Sequence, residues 1–333
     1  MNEKIILAHG SGCRATRDLI NDVILKHLGN PELGELNDSA LLDLESKKAA
    51  FTTDSYTVNP LFFPGSDIGK LSVYGTVNDL SVMGARPRYL SLGFIIEEGL
   101  EYDEFEKVVV SIKEAKNTAG VEIVTGDTKV VEKGKCDKLF IATSGIGIRE
   151  YDDLSSSSIK AGDKVIINGT IGEHEIAVLL GRGEFKFKAG VHSDCAPLWG
   201  AVSELIKKCK KIKFMRDATR GGVGVVLNEI VENKNFGIDI HEENIPITDE
   251  VKAVSEMLGY DPLYLANEGK FILVIDKDEE SQALNILKSL GYDDAAVIGE
   301  AGNIYKGKVM MDTSAGGRRI LDYPYGTQLP RIC

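Results

Sequence analysis

Basic residues and long apolar runs are scarce in this chain of 333 residues. Lys and Arg total 39 against 51 Asp and Glu, a formal net charge of -12. Such an acidic surface repels phosphate backbones and anionic lipids, so nucleic acid and membrane are poor partners. No window approaches the roughly 18 apolar residues that span a bilayer, and the N-terminus lacks the apolar core of a signal peptide. We therefore expect a soluble, cytoplasmic protein.

Paired cysteines are also lacking. The five cysteines are odd in number, widely spaced and free of any Cys-x-x-Cys pair; they are Cys13, Cys136, Cys195, Cys209 and Cys333. This pattern argues against a disulfide framework and against a zinc site, and it predicts a reducing compartment.

The length exceeds one typical core and predicts two α/β domains. A polar connection at residues 151–162 marks the boundary between them. We assign an N-terminal Gly-rich loop and helix to residues 1–34, an ATP-binding and dimerisation domain to 35–150, a C-terminal α/β domain to 151–315, and a flexible arm to 316–333.

Apolar periodicity places the main elements of both domains. A long helix begins at Ile68, with Asp67 as its N-cap and Pro87 as its stop. The remaining expected helices cover residues 16–25, 103–118, 176–180, 197–208 and 223–231. The expected strands cover residues 40–44, 49–54, 89–96, 121–129, 138–148, 164–169 and 271–275.

Four acidic residues fall at strand ends, at turns or on a helix of small residues in the first domain. They are Asp38, Asp54, Asp79 and Asp127. Carboxylates at strand ends gather at one edge of a sheet, and hard oxygen ligands in this number suit Mg²⁺ that bridges nucleotide phosphates. Any one of them alone is more often an ordinary turn residue.

Two glycine-rich segments precede helices. Gly10 and Gly12 stand before the first helix, while Arg220 and the pair 221–222 stand before the helix at Val223. Backbone N–H groups at a helix start can bind phosphate, but a glycine pair can equally serve tight packing. Glu268 precedes a buried strand, where it is either a surface turn residue or an acid–base group.

The chain ends in a segment that neither helix nor central strand can accommodate. Pro324, Gly326 and Pro330 favour an extended arm, and the last residue is the thiol of Cys333. A thiol on a mobile arm can carry an acyl group between sites. The alternative is a frayed terminus whose last residue happens to be cysteine.

Five motifs together carry a family resemblance. They are residues 78–87 (Asn-Asp-Leu-Ser-Val-Met-Gly-Ala-Arg-Pro), 125–131 (Thr-Gly-Asp-Thr-Lys-Val-Val), 216–222 (Arg-Asp-Ala-Thr-Arg-Gly-Gly), 267–270 (Asn-Glu-Gly-Lys) and 330–333 (Pro-Arg-Ile-Cys). The chain resembles the HypE family of hydrogenase maturation factors nearly end to end. The first motifs are shared with the wider superfamily of ATP-using aminoimidazole ribonucleotide synthetases, selenophosphate synthetases and thiamine-monophosphate kinases. The terminal motif, together with residues 126–131, points to HypE.

The resemblance implies a two-domain fold of the aminoimidazole ribonucleotide synthetase type, α/β (α+β) in class. Its N-terminal mixed sheet forms a barrel across a homodimer, and ATP lies in the cleft by the acidic cluster. The carbamoyltransferase HypF loads a carbamoyl group onto the terminal cysteine. ATP-dependent dehydration turns this S-carboxamide into a thiocyanate, and the cyano group passes to iron on the HypC–HypD complex for [NiFe] hydrogenase.

The resemblance also implies roles for individual residues. Cys333 is the carrier, and Lys129 and Glu268 are candidates for proton transfer. The implied nucleotide-binding residues are Gly10, Gly12, Asn78, Asp79, Thr128, Asp217 and Arg220. The implied Mg²⁺ ligands are Asp38, Asp54, Asp79 and Asp127. Two positions depart from the family pattern: Cys13 stands where glycine is more usual, and Glu175 stands where glycine commonly follows histidine.

Chemistry explains the need for ATP in this reaction. A carbamoyl group releases its oxygen near neutral pH only after that oxygen becomes a good leaving group, which phosphorylation achieves. A base must also take a proton from nitrogen, which is the task expected of Lys129 or Glu268. Two alternatives stay open: a superfamily enzyme that phosphorylates a small soluble substrate without using Cys333, and a non-catalytic scaffold.

Overall fold

The computed structural model describes residues 4–10, 14–34, 44, 48–183 and 190–324. Six residues singled out by the sequence lie outside these ranges, as does nearly all of the strand expected at 40–44; they are Gly12, Cys13, Asp38, Gly326, Pro330 and Cys333. The N-terminal part comprises a 3₁₀ turn (Leu7–Gly10), α1 (Arg14–Leu19), a π-helical stretch (Ile20–Leu25), α2 (Lys26–Leu28) and α3 (Pro31–Gly34).

The first domain is built on a four-stranded mixed sheet in the order β1-β6-β4-β5, in which only β4 and β5 are parallel. A two-stranded hairpin and two helices accompany it. The elements are β1 (Ala49–Tyr56), β2 (Phe62–Phe63), β3 (Ser66–Asp67), α4 (Ile68–Val82), β4 (Ala85–Glu97), α5 (Tyr102–Ala119), β5 (Glu122–Val131) and β6 (Leu139–Arg149). The expected mixed sheet is confirmed.

Helix α4 is the central element of the protein and is buried nearly all round. Asp67 caps it as predicted, since its Oδ1 accepts hydrogen bonds from Gly69 N (2.7 Å) and Lys70 N (3.1 Å). Gly75 lets β1 approach closely, because a Cβ there would lie 2.3 Å from the hydroxyl of Tyr56. The helix thus packs on the sheet on one side and on the second domain on the other.

The prediction that Pro87 ends α4 is wrong. The helix ends at Val82, and Gly84 makes the turn at φ 68°. Pro87 instead lies inside β4, opposite Gly147 of β6. Proline fits there because pairing with β5 begins only at Tyr89, so one side of Pro87 needs no ladder hydrogen bond.

The second domain is built on a seven-stranded sheet in the order β13-β12-β9-β11-β7-β10-β8. Its strands are β7 (Lys164–Ile167), β8 (Ile212–Asp217), β9 (Gly237–His241), β10 (Phe271–Ile275), β11 (Ala296–Gly302), β12 (Val309–Asp312) and β13 (Arg318–Leu321). Its helices are α6 (Glu173–Gly181), α7 (Trp199–Lys208), α8 (Gly222–Val231), α9 (Asp249–Leu258) and α10 (Glu280–Ser289). Short 3₁₀ turns at 156–158, 242–244, 262–264 and 277–279 connect them.

The expected start of the arm at residue 316 needs correction. Residues Arg318–Leu321 form β13, an edge strand paired antiparallel with β12. Tyr264 Oη also donates to the carbonyl oxygen of Asp322 at 2.5 Å. Ladder bonds and this contact hold the chain to the second domain, so any arm begins after Asp322.

The two domains share buried contacts through α4. Its C-terminal half packs against α7 and β8, and Val178 and Ala266 of the second domain join the apolar core of the first. Within the part of the chain that the structure describes, every helix is too short or too polar to cross a lipid bilayer.

Candidate active site

Two of the predicted aspartates meet where β1 lies against α4. Asp79 Oδ2 accepts a hydrogen bond from Thr52 Oγ1 (2.7 Å), and Asp54 Oδ2 accepts one from Thr76 Oγ1 (3.1 Å). Burial raises the pKa of both carboxyls, and the charge of Asp54 raises that of Asp79 further, to about 6. The pair is therefore a site of concentrated negative charge with two hydroxyls beside it.

Asp217 and Glu268 bring two more carboxyls to this pair from the second domain. Burial raises the pKa of Asp217, and the charge of Asp79 raises it further. Burial also raises the pKa of Glu268 well above its ordinary value, and the nearby carboxylates add to the effect. Glu268 is 3% exposed, so the reading of it as a surface turn residue is wrong.

The loop that carries Glu268 is held by buried polar contacts. The Asp194 carboxylate accepts from Glu268 N (3.0 Å) and Gly269 N (3.1 Å) and pairs with Lys270 Nζ at 3.0 Å. Asn267 Oδ1 accepts from Gly172 N at 2.7 Å. These bonds place Glu268 where α4, α6 and β10 meet.

Asn78, a predicted nucleotide ligand, uses its amide to join the domains. Its Nδ2 donates to the carbonyl oxygens of Ala196 (3.0 Å) and Glu268 (2.9 Å), and its Oδ1 accepts from Leu198 N at 2.8 Å. The side chain is 1% exposed. The geometry therefore gives Asn78 a structural role beside the site.

Asp127 and Lys129 lie in a part of the fold that is separate from the acidic cluster. Both are exposed on edge strand β5, where Lys129 Nζ pairs with Asp127 Oδ1 at 2.9 Å. The hydrogen bond from Lys129 is the main reason that the pKa of Asp127 is lowered. Three strand spacings separate β5 from β1, about 14 Å. Asp127 therefore does not join Asp54 within one chain, and the convergence of Lys129 with Glu268 stays a prediction.

An apolar cavity of about 210 Å³ opens beside these two β5 residues. The N-terminal helices cover one side of it, and β4 and β5 form the other; apolar lining residues include Ile24, Leu28, Leu92 and Phe94. Its polar edge is formed by residues 125–129, among them Thr128, which the sequence assigned to the nucleotide. The 3₁₀ turn that ends at Gly10 also packs on β5.

Arginines of the 216–222 motif approach the acidic cluster. The charge of Arg220 acts on Asp54, and that of Arg216 acts on Asp79 and Asp217. At Gly222 the structure supports tight packing as a reason for the glycine pair, because a Cβ there would lie 2.5 Å from the carbonyl oxygen of Leu265. Its N–H donates to Thr219 O at 2.8 Å.

Sequence reasoning missed three polar residues next to Glu268. His174 and Asp194 are buried side chains, and Ser193 bonds to His174. His174 precedes Glu175, at which the chain departs from the family pattern, but no sequence spacing links His174 to residues 193–194. Polar residues in a stretch without apolar periodicity, such as 190–198, are the only signal that the sequence offers for the other two.

Comparisons with known proteins agree with this architecture. Residues 36–149 match the family of the AIR synthase related protein, N-terminal domain, and residues 160–312 match that of its C-terminal domain. The chain is 44% identical over 336 residues to the carbamoyl dehydratase HypE of Bradyrhizobium diazoefficiens, covering 100% of this chain and 97% of that protein. It is 43% identical over 337 residues to the carbamoyl dehydratase HypE of Escherichia coli K12, covering 99% of each.

Two solved structures extend the comparison. A crystal structure of hydrogenase maturation protein HypE in complex with ATP superposes with a TM-score of 0.94 at 46% identity, over 98% of this chain and 99% of that one. A chain from the crystal structure of a HypE–HypF complex superposes with a TM-score of 0.80 at 47% identity, over 92% of this chain and 99% of that one.

Proposed function

The chain belongs to the carbamoyl dehydratase HypE family of hydrogenase maturation proteins, and from this premise we propose how its own residues perform the reaction. The enzyme uses ATP to dehydrate a carbamoyl group held on the terminal thiol, and it donates the resulting cyano group for the iron of [NiFe] hydrogenase. The observation that carries the proposal is the buried cluster of carboxyls that both domains build, formed by Asp54, Asp79, Asp217 and Glu268.

The charge of Arg216 acts both on Tyr323, near the end of the described chain, and on the acidic cluster. Burial raises the pKa of Tyr323, the carboxylates of Glu232, Glu229 and Asp322 raise it further, and the charge of Arg216 opposes them. The same Arg216 acts on Asp79 and Asp217. Nine residues follow Pro324. Extended, they reach about 30 Å, enough for Cys333 to enter the cleft and to leave it.

The described thiols are poor carriers. Burial raises the pKa of Cys136, Cys195 and Cys209, which keeps them as unreactive thiols near neutral pH. Such thiols do not attack a carbamoyl donor readily. Of the two remaining cysteines, Cys13 and Cys333, we assign the carbamoyl group to Cys333, because it ends the Pro-Arg-Ile-Cys motif of the family.

Asp54, Asp79 and Asp217 fit a divalent cation accompanied by phosphates. They are hard oxygen donors, and the mutual repulsion that raises their pKa values is relieved by a cation. Among the described residues, no three acidic, histidine or cysteine side chains are close enough to hold a metal by themselves. We propose that Mg²⁺ is shared with nucleotide phosphates and water, as is usual for this ion.

The nucleotide supplies a phosphoryl group that makes the carbamoyl oxygen a leaving group. We place its purine in the cavity beside β5, where apolar walls meet the backbone of residues 125–129. Arg216 and Arg220 attract the phosphates towards the carboxylates of β1 and α4. The buried position of Glu268 excludes water from the nitrogen that must lose its proton, and Glu268 accepts that proton.

Lys129 enters this chemistry only from a second chain. β1 and β5 are the two edges of the first sheet, and the face opposite α4 leaves Phe51 70% exposed. We propose a homodimer in which these sheets close a barrel and β5 of one protomer lies beside β1 of its partner, so that the long Lys129 side chain extends round the strand edge to the partner's acidic cluster. Lys129 then stabilises the charge that develops on the carbamoyl oxygen.

The partners follow from the reaction. A HypF protein delivers the carbamoyl group to Cys333, and a HypC–HypD complex receives the cyano group on iron. Both steps require the arm outside the cleft, whereas dehydration requires it inside. We therefore propose Mg²⁺ as the cation, a homodimer as the assembly and a HypC–HypD complex as the acceptor of the cyano group.

Intact mass of the full-length protein tests the proposal. Carbamoylated protein should become one water lighter after MgATP is added, and Cys333→Ala should accept no carbamoyl group while it still binds ATP. A Cys333→Ala protein that still loses water would assign the carrier to another cysteine. ATP turnover that depends on a small soluble metabolite would favour the kinase alternative, and partner binding without any ATP hydrolysis would favour the scaffold.

A further inference from the structure

His174 lies fully buried between a hydroxyl and the proposed base. Its Nδ1 is 2.9 Å from Ser193 Oγ, and its Nε2 is 4.0 Å from Glu268 Oε1. The edge of the Phe63 ring meets the imidazole ring at a centroid distance of 5.5 Å and an interplanar angle of 90°. The imidazole is thus held in one orientation by packing and by Ser193.

The hydrogen bonds of Ser193 are compatible with an imidazole tautomer that turns an N–H group towards Glu268. Ser193 Oγ accepts a hydrogen bond from Cys195 N at 3.2 Å, which leaves its own proton for another acceptor. When that proton is donated to Nδ1 of His174, the ring proton resides on Nε2. Nε2 is the atom that faces Glu268, so this tautomer presents an N–H donor to the carboxyl group.

Glu268 needs such a donor. Burial disfavours its charged form, and so do the carboxylates around it: Asp194, Asp217, Asp54 and Asp79. Lys270, two residues beyond Glu268, is already paired with Asp194. An N–H group directed at the Glu268 carboxylate from 4.0 Å, beyond hydrogen-bonding distance, favours the charged form electrostatically, and the charged form is the one that can accept a proton.

We propose that His174, oriented by Ser193, is a positioning residue that keeps Glu268 ionised and directed for proton abstraction from the carbamoyl nitrogen. The inference rests on the proposed role of Glu268 as base. It concerns a set of three residues that meet only in the folded protein. Ser193 acts through His174, and His174 acts through Glu268.

Kinetics of three variants test this order. We expect His174→Phe to slow single-turnover dehydration of carbamoylated protein about 10²-fold, with KM for ATP unchanged, because the general base loses its ionised form. Ser193→Ala should slow it less. The double variant should be no slower than His174→Phe alone, since residues that act as one unit are not additive. Losses that simply add, or a wild-type rate in His174→Phe, would overturn the proposal.

A measurement without turnover separates this inference from the proposed function. In ¹⁵N NMR of the full-length protein, with His174 assigned by its loss in His174→Phe, we expect a protonated Nε2 and an unprotonated Nδ1. Ser193→Ala should mix the two tautomers, and Glu268→Gln should shift the Nε2 resonance. A proton on Nδ1 in the wild-type protein would refute the inference, whether or not the protein dehydrates a carbamoyl group.

Discussion

Asp54 and Asp127 occupy adjacent rows of one sheet but point to its opposite faces. Asp54 lies opposite Thr143 of β6, and Thr143 lies opposite Leu92 of β4. Leu92 in turn lies opposite Gly126 of β5, which ends this row of the sheet. Paired residues share a face, and successive residues alternate. Asp127, next to Gly126, therefore faces away from α4, towards which Asp54 points. One chain cannot assemble the predicted four-aspartate cluster.

Mixed dimers should therefore recover activity from two inactive variants. We expect Lys129→Ala and Glu268→Gln homodimers each to be slowed by about 10²-fold or more. In a heterodimer of the two, one of the two composite sites carries both changes and the other carries neither. Heterodimers isolated with two affinity tags should thus convert roughly half of their sites at the wild-type rate, given two-fold symmetry. Co-expression with two affinity tags, followed by single-turnover intact mass, measures this.

The control for that experiment is a heterodimer of two variants whose changed residues belong to the same site. Glu268→Gln paired with His174→Phe should not complement, because both residues belong to the same protomer's cluster. Absence of recovery in the Lys129–Glu268 pair as well would place Lys129 outside the site, or both residues within one chain's site.

Asp79→Asn should stabilise the nucleotide-free protein and abolish its response to MgATP. The folded-state pKa of Asp79 is raised to about 6, so its favourable contribution is present below the unfolded-state value and is lost as the pH rises through 6. At pH 8 we expect the variant to be more stable than wild type by about 1–2 kcal/mol, with little difference at pH 4. Denaturant unfolding at both pH values, with and without MgATP, measures this.

Asp103→Asn is the matched control, since Asp103 is exposed in the first turn of α5. Its stability difference should not change between the two pH values, and MgATP should still stabilise it. If Asp79→Asn keeps the full stabilisation by MgATP, then Asp79 is not a ligand of the metal–phosphate group.

Glu175→Gln should flatten the pH dependence of stability around neutrality. Burial raises the pKa of Glu175 to about 7, although its Oε2 accepts a hydrogen bond from Ala266 N at 2.6 Å. The stability linked to the protonated carboxyl is lost as the pH rises from 4.5 to 7. Glutamine keeps the hydrogen-bond acceptor without the charge. We therefore expect the free energy of unfolding of Glu175→Gln, relative to wild type, to be about 1–3 kcal/mol higher at pH 8 than at pH 5.

Glu175→Gly provides the contrast at the same position. It leaves the buried N–H of Ala266 unsatisfied, at a cost of about 1–3 kcal/mol at every pH. Because residues 265–269 carry Glu268, we also expect slower dehydration with unchanged KM for ATP. Equal stability of the glutamine and glycine variants across pH 5–8 would show that the bond to Ala266 contributes nothing.

The apolar cavity should bind the base of the nucleotide independently of the acids. We expect Ile24→Trp, which fills the cavity, to weaken binding of adenosine and of MgATP alike by about 10-fold or more, because the aromatic ring takes the volume of the base. Asp79→Asn should weaken MgATP but leave adenosine unaffected. Calorimetric titration distinguishes the two, and normal adenosine affinity in Ile24→Trp would move the base to another place.

The sequence by itself determined the local elements and the family. Asp67 caps α4 and apolar periodicity marks β1 and α5, because caps and periodicity depend on neighbours a few residues apart. The motifs from Asn78 to Cys333 identified the HypE family because each is contiguous. Only the tertiary structure decided that Pro87 lies within β4, that Asp54 and Asp127 face apart, and that His174 and Ser193 meet Glu268. These relationships depend on strand register and on packing between residues far apart in the chain, which no local pattern encodes.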